Sequence, residues 1–69
     1  MQIKAELAGN LWKIVVREGQ PVQADETLMI LESMKMEIPV TAPSAGRVTK
    51  IHVREGDNLH EGQLLIEID

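Results

Sequence analysis

The chain has no cysteine, no phenylalanine and no tyrosine, and Trp12 is the single aromatic residue among its 69. Without cysteine there is neither a disulfide staple nor a thiolate zinc site. His52 and His60 stand apart with no third ligand beside them, a poor metal set. Positive charge is scarce: 7 Lys and Arg against 11 Asp and Glu give a net charge of −4. A surface of that sign suits neither nucleic acid nor an anionic membrane. No apolar run approaches the ~18 residues of a membrane span, and the first residues carry no signal-peptide pattern, so a cytoplasmic protein is expected. No carboxylate pair, Ser/His set or phosphate-cradling glycine loop stands out, which argues against an enzyme. An apolar content of 43% nevertheless excludes disorder. One small domain remains, with little spare core from which to build a pocket.

What the chain does have is itself twice. Ala8, Gly9, Lys13, Ile14, Val16, Arg17, Glu18, Gly19 and Leu28 meet identical residues at Ala45, Gly46, Lys50, Ile51, Val53, Arg54, Glu55, Gly56 and Leu65, a constant step with no gaps. Upstream, the same step sets Ile3 against Val40. The halves then run 1–32 and 38–69, and the connector 33–37 is left over. Two copies are too few for a solenoid, so they should share one core about a pseudo-two-fold axis.

The period is that of strands. Ile14 and Val16 flank Val15 as Ile51 and Val53 flank His52, an alternation that half-buries extended chain. Positions apolar in both copies are the expected core: Ile14/Ile51, Val16/Val53, Val22/Leu59, Leu28/Leu65, Met29/Ile66 and Leu31/Ile68. Positions polar in one copy should face water: Val15/His52, Ile30/Glu67 and Trp12/Thr49. Adjacent Leu28 and Met29 require a bend or strand end. Gly19 and Gly56 in R-E-G mark turns, and Pro39 inside a strand marks an edge or begins a segment that makes no ladder bond there. No segment shows a capped stripe of 3.6-residue period. The expected fold is all-β, a flattened antiparallel barrel or sandwich of two small sheets.

The unpaired centre, E-S-M-K-M-E at 32–37, should form a hairpin tip with Lys35 at its apex. The two-fold carries this tip onto the chain termini. Met-Lys is poor chemistry for a two-residue hairpin loop, which favours Asn-Gly or Asp-Gly, and it suits a type I turn better. Met34 and Met36 flank the lysine, and methionine recurs on surfaces that another protein grips. Most turn lysines are merely solvated. The conjunction of motif, unpaired centre and duplicated β scaffold is what singles this one out.

These residues resemble the biotinyl/lipoyl carrier domains. E-S-M-K-M-E looks like their biotin-attachment signature, A-P-S-A-G-R-V at 42–48 matches the start of their second half, and the closing V-x-E-G-x-x-L-x-x-G-Q-L-L matches theirs. The likeness covers essentially the whole chain, and its size is similar to that of the stand-alone attachment proteins. Ser33 replaces the usual alanine. The stretch from Trp12 to Val22 lacks the inserted thumb of the bacterial acetyl-CoA carboxylase carrier subunit.

The resemblance implies a barrel-sandwich hybrid and a role as carrier. Biotin would be the covalent cofactor on Lys35, attached by a biotin protein ligase that reads Met34 and Met36. Biotin carboxylase and carboxyltransferase components would be the partners. The lysine and biotin chains together would reach about 12–14 Å, at ordinary bond lengths. The alternatives are lipoate on the same lysine, attached by a lipoate ligase, and an unmodified interaction module. Trp12 is either a docking residue or a cover for the end of the core. Glu32 and Glu37 either orient the tip in a basic ligase cleft or are solvated strand-end charges.

Overall fold

Alternating side chains on extended backbone can bury only one face, and two such faces must close on each other. In the computed structural model, which describes residues 1–69, eight strands do this. They are β1 (Gln2–Lys4), β2 (Gly9–Ile14), β3 (Pro21–Val22), β4 (Thr27–Ser33), β5 (Met36–Thr41), β6 (Gly46–Ile51), β7 (Asn58–Leu59) and β8 (Leu64–Ile68). Two antiparallel four-stranded sheets result, ordered β1-β8-β6-β3 and β5-β4-β2-β7. Exchanging each strand for its repeat partner (β1 with β5, β2 with β6, β3 with β7, β4 with β8) turns one order into the other. The pseudo-two-fold expected from the repeat therefore swaps whole sheets, and the fold is the expected flattened barrel-sandwich. No helix is long and apolar enough to cross a membrane.

The sheets enclose 15 buried residues, all apolar, in a body of 30 × 19 × 17 Å. Val16/Val53, Val22/Leu59, Leu28/Leu65, Met29/Ile66 and Leu31/Ile68 are buried in both copies, as expected. Ile14 and Ile51 are not. They are the last residues of β2 and β6 and are half-buried, packed against the core from its edge. Leu11/Val48 and Ala5/Ala42, with Ile3, complete the core instead. Both pairs obey the same step and are apolar in both copies, so the signal for them was present. Adjacent Leu28 and Met29 both point inward because the β4–β5 register shifts between Thr27 and Met29. Pro39 lies in β5, which pairs only with β4, so its missing N–H faces no strand.

The repeated R-E-G is a clip between the halves. Ile51 N donates to Glu18 Oε2 at 2.9 Å, and Ile14 N donates to Glu55 Oε2 at 2.9 Å. Gly19 N reaches Val48 O and Gly56 N reaches Leu11 O, each at 2.7 Å. Each carboxylate thus satisfies the last strand N–H of the other repeat. Replacing Glu18 or Glu55 by alanine should cost about 1 kcal/mol apiece, an exposed charge-assisted bond being worth less than a buried one. Urea unfolding reads this directly, and two wild-type-like midpoints would show the clip to be idle.

Candidate functional site at the β4–β5 tip

Strands β4 and β5 pair in unbroken register from Met29↔Val40 to Ser33↔Met36. Only Met34 and Lys35 are left to turn the chain. A two-residue connection that follows the right-handed twist of its strands needs positive φ at the first central residue (type II′) or at both (type I′). Met34 has φ 51° and Lys35 has φ 65°. The expected type I turn is therefore corrected to the mirror-image kind. The ladder decides this: the paired strands leave no room for the third loop residue that a type I hairpin would use. An L-residue with a side chain costs about 1–2 kcal/mol in this region. Two together, where Asn-Gly would be cheap, concentrate strain at one point of the surface.

The strained pair is also exposed. Met34 is 92% exposed and Met36 is 64% exposed. Lys35 is exposed, and its amine makes no hydrogen bond or ion pair within the protein. The single close contact between a basic and an acidic side chain, His52 Nε2 to Glu67 Oε2 at 2.7 Å, lies on the other sheet. Just below the tip Glu32 stands directly across from Glu37. Neither has a cationic partner, so two like charges face each other on adjacent strands, which is mildly unfavourable. Trp12 is 51% exposed on the outer side of the same sheet. It is the extra residue of a bulge, since the β2–β4 register shifts between Leu11 and Lys13.

Chemically the tip offers a primary amine that the fold does not use. Acylating it would break no internal contact. The arrangement gathers Met34, Lys35 and Met36 at one point and sets His52 apart on the opposite sheet. Sequence reasoning located the lysine, while its positive φ was hidden because neither Met nor Lys is a residue that announces such a conformation.

An all-β two-fold scaffold with an exposed, unpartnered lysine at the tip of a tight hairpin is that of a carrier-type domain. The family model described as "Biotin-requiring enzyme", of the biotin/lipoyl family, matches residues 1–68. The chain belongs to that family and is a biotin carboxyl carrier-like domain. It is 43% identical over 68 residues to the biotin/lipoyl attachment protein of Bacillus subtilis, covering 99% of this chain and 93% of that protein. Identity to the biotinylated protein TB7.3 homolog of Mycobacterium leprae is 42% over 66 residues, covering 96% and 93%. Among solved structures, the urea carboxylase of Kluyveromyces lactis superposes with a TM-score of 0.94 at 35% identity. That match covers 100% of this chain and 6% of the carboxylase.

Proposed function

We propose that residues 1–69 act as one biotin carrier domain, halves 1–32 and 38–69 holding the tip 33–37, with Lys35 as the acylated residue. The carrying observation is the two-residue turn in positive φ that lifts an unpartnered lysine clear of the sheet. The fit to biotin is chemical: a carboxyl-bearing cofactor needs an accessible amine with no competing intramolecular partner, and Lys35 is one. A biotin protein ligase would form the amide at Nζ, gripping the exposed thioethers of Met34 and Met36 on either side. When bound, biotin supplies the ureido nitrogen that accepts and gives up a carboxyl group.

The protein's own task is then to present and orient. The β4–β5 ladder fixes the tip, and tethering replaces diffusion with a high local concentration at each partner site. Biotin carboxylase and carboxyltransferase components of a cytoplasmic biotin-dependent carboxylase are the partners that fit, the relative of solved structure being a carboxylase. The domain is a substrate and carrier, in keeping with full-length relatives named for attachment and biotinylation. The methionine flanks favour biotin over lipoate.

Incubation with a biotin ligase, biotin and ATP should add one biotinyl increment to the intact mass, and Lys35→Ala should abolish it. A wild-type chain left unmodified, or one that accepts lipoate from a lipoate ligase in preference, would overturn the assignment.

A further inference from the structure

The pseudo-two-fold supplies an internal control for the surface. Core positions hold the same class of residue in both copies, whereas one set of outward positions does not. In the tip-bearing sheet Ile30 pairs with Pro39 on one side and Lys13 on the other, beside the bulged Trp12, with Val15 beyond the end of β2. In the opposite sheet the equivalent Glu67 pairs with Gln2 and Lys50, beside the bulged Thr49. There Thr49 Oγ1 donates to Glu67 O at 3.0 Å, and His52 takes the place of Val15. Trp12, Val15, Ile30 and Pro39 thus stand where the other repeat has Thr49, His52, Glu67 and Gln2. The fold accepts polar groups at all four places, so burial within this chain does not explain the apolar set. Trp12 and Val15 are 51% and 49% exposed.

We propose that this apolar outer face, on the sheet that carries Lys35, is where the enzyme that acylates Lys35 docks. The inference rests on Lys35 being the modified residue. Ile30 lies three residues along β4 from the start of the turn that carries the lysine, about 10 Å at the rise of a strand. A ligase must bring the bare side chain itself into its active site, so its surface comes within a lysine's length of the tip and overlies the adjoining sheet. Sites served by the loaded arm stand further off by the length of that arm. Charge states the partner's chemistry. Glu32 and Glu37, between the tip and the patch, face each other with no cation in this chain. The docking surface should therefore pair an apolar pocket with Lys or Arg on its rim. A second copy of this chain does not fit. A stable dimer needs about 800 Å² from each partner, more than a sixth of the whole 4503 Å² surface, and it would oppose like charges.

The test transplants the other repeat's polar residues: Val15→His with Ile30→Glu, and separately Trp12→Thr. The mirror control is His52→Val with Glu67→Ile. Steady-state biotinylation by a purified biotin ligase should show kcat/KM lower by about tenfold or more for the transplants, mostly through KM, as for the loss of an interface anchor. The mirror control should load like wild type, and thermal melting should show all variants folded. Transplants that load normally would overturn the proposal. So would an effect confined to self-association in sedimentation, or one confined to carboxyl transfer after normal loading. If wild type accepts no biotin, the Lys35 assignment has failed and this inference goes with it. If wild type and transplants load equally well, the docking face alone is wrong and that assignment stands.

Discussion

Replacing Gly9 by alanine should destabilise the domain by about 2–4 kcal/mol, the range for overpacking a rigid contact. A Cβ at residue 9 would lie 2.5 Å from the backbone oxygen of Glu32 and 2.9 Å from Leu31 Cδ1. The two-fold repeats the crowding at residue 46, where a Cβ would lie 2.5 Å from Asp69 O and 2.6 Å from Ile68 Cγ2. Strands β2 and β6 approach their neighbours so closely here that backbone would have to move, and backbone in a ladder moves as a unit. A domain of this length has a total stability on the order of 3–10 kcal/mol, so either substitution removes a large share. The melting temperature should drop by roughly 10–25 °C. Gly19→Ala separates crowding from conformation. At φ +89° residue 19 has nothing within 4 Å of an added methyl group, so only the backbone preference is lost. That variant should cost about 1 kcal/mol. Equal losses at the two sites would contradict the close approach.

The tip should respond in the opposite direction. Met34→Asn with Lys35→Gly installs the pair that a two-residue turn prefers. It relieves two positive-φ side chains, and the gain should be about 1–2 kcal/mol after the extra freedom of glycine in the unfolded chain is subtracted. Melting should rise by roughly 5–15 °C, while biotin loading falls to nothing. The single change Met34→Asn should retain the amine, gain about 1 kcal/mol and load more slowly if the ligase grips the thioether. A double variant no more stable than wild type would show that the turn is not strained. Stability given up at the proposed attachment point is the pattern expected of a site rather than a plain connection.

Much of this was legible in the residues because the chain is written twice. Comparing copies sorted Val22/Leu59 and Leu28/Leu65 into the core without any structural knowledge. Pro39 pointed to an edge strand or a break in the ladder, since a missing N–H is tolerated where no partner needs it, and the edge is what the fold has. The comparison failed where packing depends on strand ends. Ile14 and Ile51 are identical and apolar, yet they are the last residues of their strands and are left half-buried. Glu18 and Glu55 were invisible for another reason: a carboxylate in R-E-G resembles a solvated turn residue, and only the fold brings it to the backbone of the other repeat. At the tip, position was readable from the unpaired centre, but conformation was not. The β4–β5 ladder imposes φ on Met34 and Lys35 against their own preference.

The most direct measurement is the intact mass of the protein purified from its own host, followed by fragmentation to find the modified residue. One biotinyl group is the outcome predicted, carried as an amide on Lys35 and nowhere else. An unmodified chain in cells with active biotin ligase, a lipoyl adduct, or biotin on any of the other lysines would contradict it.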